Sequence, residues 1–456
     1  MLGRSVDKIH TPKEQAAALA AASAAELDGL VLLGGTFTNT DAAHLAEYFA
    51  ARGSACRVVG VPATVDGDLK GPLVETTLGL DTACKITAQL MGNLETDCLS
   101  AKKYVYFVRV LGREHGHMAL EVALSARPNV LVLGEDIAER GLSLLDVVKE
   151  VADAVAARGD AGKNFAVVLL GEGLPRHIPE LHALLKEVDA AFARGLRDPA
   201  AMLAELTPWS RAVLEFTPET VRNQFFLERE SNGRAQLSQI STERILLELV
   251  NIELAARKKA GVTKAKTGNG MGFFFGYQAR SALPSNFDCA LGSALGCTAA
   301  HLIAGGHTGY MATVRGVASG VEGVQFTWHP VGVPLSALLS VPLNRGGYTS
   351  LPAQNRSLTP TSSAAELALA EKEGGASTAG GGGASASAQP QLPLGPRPTI
   401  TSYPVDVRGA AFRAWRAQSK ACAVGDLYTN PGPVQFSGGV GNCCSLSLQL
   451  EQQAKV

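Results

Sequence analysis

From the start of the chain to about residue 350, short apolar runs alternate with longer segments whose apolar positions recur at helical spacing. Leu27–Leu33 is such a run, ended by Gly34-Gly35, and Thr40–Arg52 then sets Ala43, Leu45, Ala46 and Phe49 on one side of a helix. Further strands are predicted at Arg57–Val61, Tyr104–Val110, Val130–Leu133, Phe165–Leu170 and Phe273–Phe275. Most of these runs are apolar throughout rather than alternating, the pattern of strands covered by helices on both faces. The chain therefore reads as α/β with largely parallel sheets.

The pattern breaks after residue 350. Every residue from Gly374 to Ala388 is Gly, Ala, Ser or Thr, and no charge follows until Arg397, so residues 353–399 are expected to be a flexible linker. Tyr403, Val405, Phe412, Trp415, Leu427, Tyr428 and Phe436 restore apolar content, and residues 400–456 are expected to dock back on the body.

Charge adds exclusions. Lys and Arg number 41 against 42 Asp and Glu, a net charge of −1, which argues against a nucleic acid or an anionic membrane surface as partner. Eight scattered cysteines without a C-x-x-C pair form no disulfide framework and suit a reducing compartment. The N-terminus has no signal-peptide pattern, and the Gly/Ala-rich stretch Cys289–Gly306, which contains His301, reads as a packed helix rather than a membrane span. A cytoplasmic protein is expected.

Candidate chemistry sits where apolar runs end, because open α/β sheets bind ligands at strand carboxyl ends and helix N-termini. Gly34-Gly35-Thr36-Phe37-Thr38-Asn39 offers glycines, hydroxyls and a helix start suited to phosphate, yet it also suits an ordinary strand-to-helix turn. It lacks the Lys of a Walker loop. Thr64-Val65-Asp66-Gly67-Asp68 carries two carboxylates fit for a general base and an electrostatic or metal partner, or for a plain Asp-Gly turn. Leu111-Gly112-Arg113 offers a guanidinium for an anionic substrate, though surface ion pairs are the commoner fate of arginine. His115 and His117 are expected to face apart and not to share a metal. Glu172, between Gly171 and Gly173, and Tyr277 and Arg280, after Gly276, complete five turns, each bland alone.

In this order and spacing the five turns resemble the phosphofructokinase family, in its pyrophosphate-dependent form. The resemblance runs from about Gly3 to Pro342 and resumes over Tyr428–Phe436, with support from Gly79–Lys85 and Leu283–Asp288. It implies two doubly wound domains. The diphosphate side would comprise residues 1–100 plus about 265–330, and the sugar-phosphate side residues 101–264 plus about 331–352. It implies Asp66 as the base that takes the sugar 1-hydroxyl proton, flanked by Thr64 and Asp68. Leu111, Gly112 and Arg113 would form the sugar-phosphate site, Glu172 would hold the sugar ring hydroxyls, Tyr277 and Arg280 would grip the 6-phosphate, and Gly34, Gly35, Thr36, Thr38 and Asn39 would form the phosphate loop. Phosphoryl transfer needs this kind of positioning and spread positive charge more than covalent chemistry.

Two departures redirect the expectation. Thr36 stands where the family's Mg²⁺-binding Asp belongs, so no metal ligand is assigned, and Ala63 replaces a pyrophosphate-binding Lys. Each loss would remove several kcal/mol of transition-state stabilisation. The loop, completed by Asp41-Ala42-Ala43, is similar to the alpha, or regulatory, pattern of the heteromeric enzymes. That resemblance implies a catalytic beta partner in a heterotetramer, Mg²⁺ for the holoenzyme, and a site for fructose 6-phosphate or fructose 2,6-bisphosphate. Asp66 is retained, which keeps open an active phosphotransferase. The family's upstream glycine-rich loop has no counterpart before Gly34, so an N-terminally truncated, inactive fragment is a further expectation.

Overall fold

Sheet formation follows the apolar runs. The structure, a computed structural model, describes residues 3, 9, 11–227, 229–230, 233–318, 328–340, 398–432 and 443–455. Eight strands build two four-stranded sheets: β1 (Gly29–Gly34), β2 (Arg57–Pro62), β3 (Val105–Val110), β4 (Val130–Val132), β5 (Ala166–Gly171), β6 (Gly270–Phe275), β7 (Tyr310–Arg315) and β8 (His329–Pro334). The first sheet has the order β1-β2-β7-β8 and the second β4-β5-β3-β6. All neighbours in both are parallel except β7 and β8. This is the α/β architecture with largely parallel sheets that the pattern predicts.

Core composition explains why the strands read as continuous apolar runs. In the second sheet Val105, Phe107, Ala166, Val168 and Leu170 enter one core, while Tyr106, Val108, Val110, Val167 and Leu169 enter another on the opposite face. The first sheet divides likewise, Val58, Met311 and Val333 on one side and Val59, Val61, Ala312 and Val314 on the other. The helix Asn286–Ala304 is long and apolar enough to cross a membrane by composition. Its Phe287, Leu291, Leu295 and Ala299 are nonetheless buried against the first sheet.

Two boundaries differ from expectation. The resemblance puts residues from about 265 on the diphosphate side with residues 1–100, yet β6 pairs with β3 in the second sheet, aligning Val105–Val110 with Gly270–Phe275. Residues from about 331 were assigned to the second sheet, yet β8 pairs with β7 in the first. The chain thus returns to the first sheet after Phe275, through a Gly276 turn. The Pro-flanked β8 closes that sheet as an antiparallel edge, where proline's missing N–H is tolerated. The expected linker falls outside the described residues from 353 to 397, as do Pro342 and the motif's Pro433–Phe436. In the C-terminal segment, the helix Ala410–Val424 buries Phe412, Trp415 and Cys422 in the second sheet's core. All eight cysteines are free.

Candidate functional site

Strand register sets the site. Gly34 is level with Pro62 in the first sheet, and Val110 is level with Gly171 and Phe275 in the second. The turns after these five strands therefore leave from the carboxyl edges of the two sheets. The order β5-β3-β6 also makes β3 the point where successive connections diverge, the usual place for a ligand crevice.

The helix Thr36–Ala51 begins four residues before its predicted start, directly after Gly35, and Thr40 Oγ1 donates to the Thr36 carbonyl at 2.7 Å. Asn39 is buried, and its Nδ2 donates to the carbonyls of Gly34 (2.7 Å) and Gly35 (3.0 Å), which pins the loop to the helix. A Cβ at Gly34 would lie 2.3 Å from Thr38 Oγ1. Asn39 and Thr38 thus shape the loop from behind. Thr36 faces the second turn and donates to Asp68 Oδ2 at 3.3 Å.

In that second turn Thr64 Oγ1 accepts from the Asp66 N–H at 3.2 Å, and Gly67, at φ +70°, reverses the chain between the carboxylates. Both Asp66 and Asp68 are buried. Burial, reinforced by the Asp66 charge, pushes the Asp68 carboxyl up to about 6, and its Oδ1 has no partner among the described residues. Ala63 contributes only backbone, its N–H donating to the Gly34 carbonyl at 3.0 Å.

Arg113 crosses from the second sheet to the first. Its Nε and Nη2 donate to Asp66 Oδ2 at 2.9 and 2.7 Å, and Nη1 lies 3.7 Å from Glu230. The proposed base and the proposed anion clamp therefore hold each other. The Asp66 charge raises the Arg113 pKa further above its already high value. Leu111 is buried, and Gly112, at φ +134°, takes a backbone conformation in which a Cβ would lie 2.6 Å from the His115 carbonyl oxygen.

Glu172 follows β5, its N–H bonded to the Val110 carbonyl at 2.9 Å. Burial and then the Asp66 charge push its carboxyl up to about 7, against the opposing pull of Arg109 and Arg113, and Oε2 lacks a partner among the described residues. Asp66, Asp68, Arg113, Glu172 and Thr36 thus form one cluster. Tyr277 and Arg280 leave the same edge of the second sheet, but both are exposed, the guanidinium 5.5 Å from the Tyr277 ring centre. Among the described residues no hydrogen bond or ion pair ties either to the cluster.

Other partners were not foreseen. Arg109, the penultimate residue of β3, is buried and pairs with Glu243 at 2.7 Å, with its guanidinium 3.9 Å over Phe274. A charge inside an apolar run signals that a partner exists, without saying which. Gly79–Lys85 and Leu283–Asp288 meet across more than 200 residues: Asp288 accepts from the Gly79 and Thr82 N–H groups, and Ser285 Oγ donates to Asp81. His117 is half-buried against the Tyr403 carbonyl, which lies 2.9 Å from its Nε2. His115 lies in the turn before that helix rather than on it, and it meets Glu135 and His177.

The phosphofructokinase family model matches residues 2–206. The chain is 40% identical over 453 residues to an Arabidopsis thaliana protein named pyrophosphate–fructose 6-phosphate 1-phosphotransferase subunit alpha 2, covering 99% of this chain and 66% of that protein. It is 35% identical to the subunit beta of the same name from Solanum tuberosum, covering 98% and 69% of the two chains. To the pyrophosphate–fructose 6-phosphate 1-phosphotransferase of Treponema pallidum it is 33% identical, covering 100% and 72%. The chain belongs to the phosphofructokinase family, and the relatives it matches carry the names of pyrophosphate-dependent members. It spans 66% of the length of the alpha-subunit relatives it matches.

Proposed function

We propose that this chain is a regulatory subunit of the phosphotransferase that moves a phosphoryl group from pyrophosphate to the 1-hydroxyl of fructose 6-phosphate. In this reading it pairs with a catalytic beta chain in the cytoplasm and uses its cluster to sense fructose 6-phosphate or fructose 2,6-bisphosphate. The observation that carries the reading is the pairing of a retained anion clamp with missing donors. Arg113 and Glu172 stand at the cluster, while Thr36 and Ala63 supply neither carboxylate nor ammonium. An arriving phosphate would compete with Asp66 for Arg113 and so loosen the contact between the two turns. A ligand that redistributes such a contact can bias a partner through a shared interface.

The domain reading is kept, with β6 on the sugar-phosphate side and β8 on the diphosphate side. Tyr277 and Arg280 are assigned to a ligand phosphate, since they leave the strand edge beside Arg113.

The family's Mg²⁺ is fitted here by a reduced oxygen set. Asp68, with its unpartnered Oδ1, is the residue that would hold the ion together with substrate phosphates. When bound, the ion would neutralise charge on the transferring group. Thr36, standing where the resemblance puts the family's Mg²⁺-binding Asp, donates its hydroxyl to Asp68 and supplies no carboxylate.

A second reading, an active phosphotransferase, is favoured by Asp66 alone, which is buried at the strand edge as a base would be. Fructose 1,6-bisphosphate formation from fructose 6-phosphate, pyrophosphate and Mg²⁺ separates the two. We expect no turnover by the chain alone and an altered fructose 2,6-bisphosphate response when a beta chain is added. Turnover by the chain alone, abolished by Asp66→Ala, would overturn the regulatory reading.

A further inference from the structure

We infer that His115, Glu135 and His177 form a site for a divalent transition-metal ion of the Zn²⁺ class, separate from the Mg²⁺ chemistry of the carboxylate turn. The three come from three different elements. His115 follows Arg113 in the turn after β3, Glu135 opens the helix Gly134–Arg140, and His177 follows the short turn that carries Glu172. Each offers one ligand atom, and these atoms all lie within 4.8 Å of one another. His115 Nδ1 stands 3.7 Å from Glu135 Oε1.

The polar atoms here are otherwise unexplained. Both ring nitrogens of His115 and Oε2 of Glu135 are buried without a hydrogen-bond partner among the described residues, and the Glu135 side chain is only 6% exposed. Unpaired buried polar atoms carry a desolvation cost, and one His115 ring nitrogen meeting Glu135 Oε2 in the same cavity, with neither satisfied, indicates an occupant. The cavity they line, with Gly112, Gly116, Gly134 and Gly173, holds about 10 Å³, the space of a single small particle.

The surrounding contacts hold the candidate ligands in orientation. Glu135 Oε1 accepts from the N–H groups of Gly116 (2.9 Å) and Val405 (3.1 Å), which aims Oε2 into the cavity. His177 Nε2 lies 2.8 Å from the Glu114 carbonyl oxygen; in the tautomer that donates there, Nδ1 keeps the lone pair. Glycine also clears the approach, since a Cβ on Gly116 would lie 3.1 Å from Glu135 Oε2 and one on Gly134 2.3 Å from the His177 ring.

Two histidines and a carboxylate match zinc-type coordination with a fourth position for water, whereas Mg²⁺ prefers oxygen alone. Bonds of about 2.1 Å place tetrahedral ligands about 3.4 Å apart, so binding requires the side chains to draw in by about 1 Å. A bound ion would tie the Arg113 turn to the Glu172 turn and, through Glu135, to Val405. It would thus rigidify the wall of the candidate site without touching its ligand.

The test is Zn²⁺ titration of chelator-treated full-length chain against a chromophoric competitor, with Co²⁺ spectra reporting coordination. We expect one ion per chain, visible bands of four-coordinate Co²⁺, and at least thirtyfold weaker binding in both His115→Leu and Glu135→Gln. Glu135→Gln keeps an acceptor for Gly116 and Val405. His115→Leu removes no hydrogen bond, so it should melt at or above the wild-type temperature in chelator while losing the rise that Zn²⁺ gives the wild type. Equal Zn²⁺ affinity in wild type and both variants would overturn the site, as would a thermal response to Mg²⁺ matching that to Zn²⁺. Neither readout depends on the regulatory reading.

Discussion

Glu172 is the cluster residue whose charge lies closest to neutral pH. Its carboxyl, pushed up to about 7 by burial and by Asp66, is largely neutral at pH 6 and largely ionised at pH 8. Ionisation adds negative charge beside Asp66 and Asp68, where under the proposed reading a bound sugar phosphate would bring its own. Binding of fructose 6-phosphate should therefore weaken from pH 6 to pH 8 in the wild type relative to Glu172→Gln, which cannot ionise. The ratio of the two affinities cancels the ligand's own titration. We expect it to change by about threefold to tenfold, the equivalent of a half to one unit of coupling. Calorimetry at the two pH values measures it, and a constant ratio would place Glu172 outside the binding pocket. Asp68, at about 6, adds the same sign at lower pH.

At the scale of elements, the helix Leu80–Ala101 carries a cost that its sequence hides. Glu95 is buried, neither carboxylate oxygen has a partner among the described residues, and burial pushes its carboxyl up to about 9. The folded state thus holds a proton that the unfolded chain releases near its ordinary value of 4.5. Stability is highest below that value and falls as pH rises towards 9, by at most about 1.4 kcal/mol per unit from this group. Glu95→Gln should raise the melting temperature at pH 8 and flatten its decline between pH 6 and 8, measured by thermal denaturation across that range. The strands β1 to β6 were legible, because continuous apolar runs are local signals, whereas the helix was not foreseen. Glu95 was not, because its burial depends on what packs against the helix. β8 escaped for a related reason: two prolines and a glycine mask a strand whose only partner among the described residues is β7. The turns that carry Asp66, Arg113 and Glu172 were readable one at a time. Their convergence was not, since Arg113 reaches Asp66 across 47 positions and Arg109 reaches Glu243 across 134.

Across the whole molecule, the C-terminal segment joins what the two sheets leave apart. The Tyr403 N–H donates to the Asp68 carbonyl at 2.8 Å, while the Tyr403 carbonyl meets His117, so one residue links the carboxylate turn to a helix of the second sheet. Further on, Tyr428 bonds Asn129, and Lys70 pairs with Glu451 at 3.1 Å. The deepest anchor is Arg158, whose fully buried guanidinium donates to the Phe165 and Gly425 carbonyls and to Asp426 Oδ1 at 2.8 Å. Removing one partner of a buried charge costs more than the pair contributes, because the remaining charge is stranded. Asp426 is 29% exposed, so water recovers part of that loss, and Asp426→Ala should destabilise the chain by about 2–3 kcal/mol. Replacing the charge as well, in Arg158→Met with Asp426→Ala, should recover much of it. The form of the urea transition is the sharper readout. If the segment is a strap shared by both sheets, the variant unfolds in one transition with a lower midpoint and an unchanged slope. An early, separate transition would mean instead that residues 398–455 are appended to a body that stands without them, and that Tyr403 has no hold on the Asp68 turn.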